Sequence, residues 1–236
     1  MTSPKVFSSG SKRLNDVLGV GGMPFGHMVE LYGGEASGKT TISFHAIVEL
    51  QRLGKTAAYI DGSHSFDPAY ARQLGVDIEK LAVITPNSLE EAFDTAEFLT
   101  GMGGVSLIVI DSIHQLPSTE PEPEPEPENL DERDELGQWI HPKSGLSHKL
   151  LFHGMNKLRH LASKTDTCLL HTNGKRHLYL AYAYSAQIET KRITAIYEAG
   201  KECGYTIQAK GTKNKWVPPG GIAEISFIKG KVVPGD

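Results

Sequence analysis

The chain has 236 residues, 39% of them hydrophobic, and a formal net charge of −4. That length supports one sizeable core, so residues 1–236 are expected to form a single domain. Two cysteines without a CxxC spacing, Cys168 and Cys203, argue against a disulfide framework and a thiolate metal site, while a polar start and the lack of any run of ~18 apolar residues argue against a signal peptide and a membrane span; the expectation is a soluble cytoplasmic protein.

Residues 28–32 (MVELY) are an apolar run ending at Gly33-Gly34, and residues 41–53 carry Ile42, Ala46, Ile47, Leu50 and Leu53 at helical spacing. This predicts a strand, a tight loop and a helix. The pattern recurs as a strand over 57–60, a helix over 68–74, a strand over 81–84 and a helix over 89–99. Residues 106–110 (SLIVI) form the most apolar, β-branched run, which suits a central strand covered on both faces. Strands alternating with helices imply right-handed crossovers and a mainly parallel sheet, an α/β fold.

Residues 118–136 break the pattern. Proline and glutamate alternate strictly over 120–128, and residues 120–135 hold nine acids against Arg133 alone, a local charge of −8 that leaves about +4 on the rest of the chain. Proline at every second position removes backbone donors, and like charges extend the segment, so a flexible acidic insert is expected. Its plain reading is a solvated spacer; a sharper one is an acidic mimic of DNA that occupies a neighbouring basic groove. A helix resumes over 145–163, followed by a buried strand over 167–172. From Ala183 onward, alternating segments such as 205–210 and 222–228, separated by Gly and Pro turns, predict antiparallel strands that extend the sheet near the C-terminus.

Gly33-Gly34-Glu35-Ala36-Ser37-Gly38-Lys39-Thr40 matches G-x-x-x-x-G-K-[ST] between a predicted strand and a predicted helix, the context that a phosphate-binding P-loop requires. The glycines let backbone N–H groups wrap a phosphate chain, Lys39 neutralises the β and γ charge, and the Thr40 hydroxyl ligates Mg²⁺. Asp111, at the carboxyl end of SLIVI, stands where a carboxylate would hold the metal's water shell. ATP and Mg²⁺ are therefore the expected ligands, with Lys39 and Asp111 as the expected catalytic groups. A chance glycine-rich turn is the alternative, and the pairing with Asp111 argues against it.

With these motifs the chain resembles the bacterial RecA recombinase family over most of residues 7–230. The resemblance is carried by FSSGSKRLNDVLGVGGMPFGHMVELYGGEASGKTT, the entry into the ATPase core, and by IDGSHSFDPAYARQLGVD at 60–77. It implies a RecA-like P-loop NTPase with helices flanking the central sheet, and it extends the nucleotide site to Thr41, Asp67 and Tyr70: Tyr70 stacking on adenine and Asp67 accepting from its amino group. Without the resemblance, Asp67 reads as a helix cap before Pro68 and Tyr70 as an amphipathic helix residue. Lys213 and Lys215, in KGTKNKWVPP, match lysines that in the family reach a neighbouring subunit's γ-phosphate, which implies a homo-oligomer. The same likeness implies single-stranded DNA as a partner, offered charge and stacking by Lys175, Arg176, His177, Tyr179, Tyr182 and Tyr184; packing of those aromatics on the sheet is the alternative. His148, His153 and His160 lack i, i+4 pairing and imply no metal site.

The departures from the family concern turnover and coupling. Ser63 stands where the family has the glutamate that activates water, and general-base assistance is worth about 10²–10⁴-fold, so slow hydrolysis is expected unless Glu35 or His64 substitutes. Gly174 replaces the glutamine that senses the γ-phosphate, and the second DNA-binding loop is shortened. The acidic insert occupies the place of the first DNA-binding loop. The resemblance also leads to the expectation that the family's N-terminal docking module and C-terminal DNA-entry domain are absent. Three functions compete: a recombination or repair ATPase on single-stranded DNA, a hydrolysis-deficient paralogue that regulates a partner or its own assembly, and a scaffold stabilised by nucleotide.

Overall fold

The structure, a computed structural model, describes residues 3–112, 115–119 and 146–236. Strands β1 (Val6–Phe7) and β2 (Met23–Pro24) pair antiparallel and flank helix α1 (Lys12–Leu18). Then follow β3 (Met28–Tyr32), α2 (Lys39–Arg52), β4 (Thr56–Asp61), α3 (Pro68–Leu74), β5 (Leu81–Ile84), α4 (Leu89–Met102), β6 (Val105–Asp111), α5 (Leu146–Thr165), β7 (Cys168–Asn173), β8 (Ala186–Glu198), β9 (Lys201–Asn214), β10 (Ile222–Ile228) and β11 (Lys231–Val232). Nine of these strands form one sheet in the order β11-β10-β9-β8-β3-β7-β6-β4-β5. The pairs from β8 to β5 are parallel, and β9, β10 and β11 add antiparallel. This is the α/β, RecA-like arrangement expected.

Period-two alternation in the central strands sorts the core into two layers. Val29, Leu31, Ala57, Tyr59, Leu107 and Val109 meet Ile42, Phe44, Ala46 and Ile47 of α2 on one face. Met28, Ala58, Ile60, Ile108 and Ile110 meet Leu89, Ala92 and Phe93 of α4 and Leu151, Met155 and Leu158 of α5 on the other. The central strands β3, β4, β6 and β7 are covered on both sides, and their parallel pairing places their carboxyl ends along one rim.

Local rules explain the helix boundaries. Ser88 Oγ accepts the Glu91 N–H at 3.1 Å and starts α4. Asp67 caps α3, with Pro68 at its first turn and Gly75 closing it in the left-handed region at φ 107°. Helix α2 begins at Lys39, two residues before the expected start, because Gly38 at φ 86° turns the chain into the helix. Strand β9 runs well beyond the expected 205–210, since a long antiparallel pairing with β8 carries it to Asn214. The short β1, α1 and β2 are additions to the expected elements, although Ser11 accepting from Leu14 N and Gly19 at φ 73° are ordinary capping signals.

Two expectations meet the limit of the described residues. Helix α5 is seen from Leu146 rather than 145, and residues 120–136 of the acidic insert lie outside the described residues. Of the expected insert, 118–136, the first two residues are described: Ser118 Oγ donates to Glu90 Oε1 at 2.6 Å and the Thr119 N–H donates to the same carboxylate at 3.1 Å. No helix among the described residues is long and apolar enough to cross a membrane.

His171 of β7 is buried among Ile110, Leu151, Met155 and Leu180. Its Nδ1 meets Tyr184 Oη at 3.1 Å, and its Nε2 has no hydrogen-bond partner among the described residues. Burial pulls the imidazole down to about 3 from an ordinary 6.5. Below ~6.5 the unfolded chain takes up a proton that the native chain refuses, so stability falls as the pH drops from about 6.5 toward 3, at up to ~1.4 kcal/mol per pH unit. His171→Phe is expected to flatten that slope. Urea unfolding of both proteins from pH 7 to pH 4 checks it, and identical pH dependence in the two would contradict the assignment.

Candidate functional site

Asp111 ends β6 at the carboxyl rim, only 7% exposed. A carboxylate there needs donors for both oxygens, and three elements supply them. Oδ2 accepts from Thr40 Oγ1 of α2 at 2.9 Å and from Tyr59 Oη of β4 at 2.6 Å, and Oδ1 accepts from Thr172 Oγ1 of β7. Burial, reinforced by the Asp111 charge, raises the Tyr59 phenol far above its usual range, so it remains a donor. The parallel register that aligns Asp61, Asp111 and Thr172 brings these groups level.

The glycine-rich loop leaves β3 beside this carboxylate. A Cβ at Gly33 would lie 2.0 Å from Thr190 O, so only glycine fits there, whereas one at Gly34 would face open space. Ser37 Oγ is 2.9 Å from Thr190 Oγ1, which pins the loop to β8. Glu35 and Ala36 are exposed at its tip. Lys39 Nζ donates to Gly33 O and Gly34 O, each at 2.8 Å, and so lies back over the loop; burial lowers its pKa, partly offset by Asp111 and Glu35. A lysine ammonium, an exposed glycine turn and the N-terminus of a 14-residue helix converge here, an arrangement suited to an anion with several phosphate oxygens. Thr40 and Asp111 bring a hydroxyl and a carboxylate together at the base of the loop, oxygen groups of the kind that could hold a hard cation directly or through water. Among the described residues no group of three or more His, Cys, Asp or Glu side chains is arranged to hold a metal.

The other anticipated residues border this site. The Ser63 N–H donates to the backbone carbonyl of Asp111 at 3.1 Å, so position 63 lies beside the end of β6. Its hydroxyl is occupied, donating to Asp61 Oδ1 at 3.0 Å and lying 2.6 Å from Ser65 Oγ, while His64 is exposed at φ 54°. Asp67 Oδ1 accepts from the Ala69 and Tyr70 N–H groups, the capping role that its local sequence suggests. Tyr70 packs edge-on to Phe44 with its hydroxyl 2.8 Å from Thr41 Oγ1, which also meets Tyr205 Oη at 2.9 Å. Tyr205 had no sequence signal, because 164 residues separate it from Thr41.

Beyond the loop, β7 ends at Asn173, whose Nδ2 donates to the fully buried Glu30 at 2.5 Å. Gln187 donates to the other Glu30 oxygen at 2.6 Å and accepts from Arg176 Nη2 at 3.0 Å. None of Glu30, Gln187 or this use of Arg176 was anticipated; the one available signal was a charged residue inside the apolar run MVELY. The sequence expectation for Tyr184 is corrected: it is 2% exposed and packs edge-on to His171 at 5.5 Å, so it has no face to offer a base. Tyr182 is more exposed, and its hydroxyl donates to Phe152 O at 3.1 Å.

Lys213 and Lys215 lie away from the glycine-rich loop. The Lys215 N–H donates to Ser185 O and the Ser185 N–H to Met28 O, which puts Lys215 level with the first residue of β3, whereas the loop follows the last. Both lysines line a cavity of about 500 Å³ with His27, Arg159, His160 and Tyr182. Lys213 Nζ donates to the carbonyls of Ala181 and Tyr184 in its own chain, and burial together with Arg176 and Arg159 lowers its pKa.

The bonds to Asp111 should be measurable without any ligand. Tyr59→Phe removes one charge-assisted donor from a buried carboxylate and is expected to cost about 1–3 kcal/mol in urea unfolding. An unchanged unfolding midpoint would mean that the phenol does not bear on the carboxylate.

The family model described as the RecA N-terminal domain matches residues 2–234 of this chain. Protein RecA of Lactobacillus acidophilus is 35% identical over 238 residues, which cover 94% of this chain and 62% of that protein. Protein RecA of Heliobacterium modesticaldum is 34% identical over 243 residues, covering 96% and 66%, and Protein RecA of Macrococcus caseolyticus is 36% identical over 240 residues, covering 95% and 64%. The chain thus spans a little under two thirds of the length of these relatives.

Proposed function

Since the chain belongs to the RecA family, we propose that it is an ATP-binding protein of the recombination and repair type that holds Mg²⁺–ATP in the Gly33–Thr40 loop and turns it over slowly. The observation that carries this reading is the juxtaposition of a lysine folded over an open glycine loop with the Thr40–Asp111 contact at its base. In this reading Lys39 swings from the Gly33 and Gly34 carbonyls to the β and γ phosphates, and the N–H groups at the start of α2 orient them. Thr40 and, through water, Asp111 hold Mg²⁺, whose contribution is to neutralise charge between the phosphates. Tyr59 and Thr172 keep the Asp111 oxygens aimed at that position. Tyr70, Asp67 and Thr41 border the place for the adenine, with Asp67 Oδ2 left by the cap to accept from an amino group.

Slow turnover rests on position 63. A side chain there stands beside Asp111, where a carboxylate would be well sited to orient water, and the serine present is engaged by Asp61. Lys215 sits by the amino end of β3 and Lys213 level with Glu30 at its middle, and both line a cavity away from the glycine-rich loop, so in a stack of copies they would serve a neighbour's nucleotide, which supports a homo-oligomer. Lys175 and Arg176 after β7 supply charge for single-stranded DNA. A second reading, a paralogue that uses nucleotide occupancy to regulate a partner, is favoured by the same serine together with Gly174.

Three measurements test these readings. Lys39→Ala is expected to weaken ATP binding about 100-fold or more, and wild-type affinity in that variant would show that the loop is not the nucleotide site. Turnover is expected to be slow, and Ser63→Glu to raise it about tenfold or more; no rise would place the defect outside position 63. Assayed with and without single-stranded DNA, turnover that the DNA stimulates strongly excludes the regulatory reading, and tight ATP binding with negligible turnover regardless of DNA excludes the recombinase reading.

A further inference from the structure

We propose that Glu30 is a positioning residue whose carboxylate, by accepting from Asn173 and Gln187 together, links the proposed nucleotide site to the loop that carries Arg176. This inference rests on the nucleotide reading above and goes beyond it by naming how the site is connected to residues 174–177.

The geometry is a chain of hydrogen bonds with one permitted direction. Arg176 has only donors, so the atom of Gln187 facing its Nε and Nη2, at 3.3 and 3.0 Å, is the amide oxygen. The Gln187 nitrogen therefore points the other way and donates to Glu30 Oε2 at 2.6 Å. The remaining oxygen, Oε1, accepts from Asn173 Nδ2 at 2.5 Å, which turns Asn173 Oδ1 toward Ser112, the residue after Asp111, at 3.5 Å. Neither amide can flip without setting two donors or two acceptors against each other. Glu30 accepts on both of its oxygens from two different side chains, an arrangement that a carboxylate satisfies and a glutamine, with one donor nitrogen, does not.

Burial makes that arrangement consequential. Glu30 and Gln187 are fully buried and Asn173 is 2% exposed, so a broken link has no water to replace it. Burial holds the Glu30 pKa above the usual carboxylate range, outweighing the two amide donors and the charges of Arg176 and Lys213, which lower it. Register reinforces the path: Glu30 is paired with Gln187 on β8 and with His171 on β7, two residues before Asn173. A ligand that reorients Asn173 at the strand end therefore alters the donor to Glu30, and through Gln187 the anchor of Arg176. In this chain, where Gly174 has no side chain to carry a signal, the route passes beneath the loop through the sheet.

Amide hydrogen exchange of residues 174–177, with and without Mg²⁺–ATP, tests this in wild type, Gln187→Leu and Arg176→Ala. Gln187→Leu cuts the chain at its middle, and Arg176→Ala cuts it at its half-buried outer end, where folding is not at risk. Without nucleotide, exchange in this segment is expected to rise about tenfold in both variants. Nucleotide affinity should stay within about threefold of wild type, while the slowing of exchange that Mg²⁺–ATP produces in wild type should disappear. Wild-type exchange in nucleotide-free Arg176→Ala, or an undiminished nucleotide response in either variant, would overturn the inference while leaving the ATP reading intact. A wild-type protein that does not bind Mg²⁺–ATP overturns both.

Discussion

A carboxylate at the end of a covered strand must have both oxygens paired, and the site is built around that requirement at Asp111. The apolar run of β6 carries Asp111 to the rim of the sheet, where water is largely excluded. The partners then have to come from neighbouring elements: Tyr59 from β4, Thr172 from β7 and Thr40 from α2. Because Thr40 lies at the start of α2, this one anion holds the helix against the strand ends and, with it, the glycine-rich loop in front. Glu30 repeats the solution two strands away, across β7, with two amides in place of hydroxyls. Asn173, which donates to Glu30, also accepts from the Oγ of Ser112, the residue that follows Asp111, at 3.5 Å.

Much of this was legible in the sequence. Apolar periodicity located β3, β4, β5, β6 and the helices between them because each is covered in the way its pattern implies, and glycine spacing marked the loop because close approach to Thr190 leaves no room for a Cβ at Gly33. Local chemistry also identified Asp67 as a cap. Contacts between residues distant in sequence were not legible. Tyr205 reaches Thr41 across the antiparallel half of the sheet, and Gln187 reaches Glu30 only through the parallel pairing of β3 with β8. Nor does composition tell a tyrosine that packs from one that is displayed: Tyr182 and Tyr184 are two residues apart, yet one is exposed and the other buried against His171.

The proposed division between holding a nucleotide and turning it over follows from where the chain keeps and where it lacks polar side chains. Thr40 is bonded to Asp111 at the base of the loop, and Lys39 lies over the loop on the Gly33 and Gly34 carbonyls. At position 63 a short hydroxyl is bound to Asp61, and at 174 there is no side chain at all. On the proposed reading, this contrast is what would favour occupancy over flux.

The measurement that bears most directly on this account is the Mg²⁺ dependence of ATP binding, titrated at equilibrium in the wild-type protein and in Asp111→Asn. If Thr40 and Asp111 together receive the metal, Mg²⁺ tightens ATP binding about tenfold or more in wild type and much less in the variant. An affinity that does not change with Mg²⁺, or an equal gain in both proteins, would contradict the central place given to Asp111.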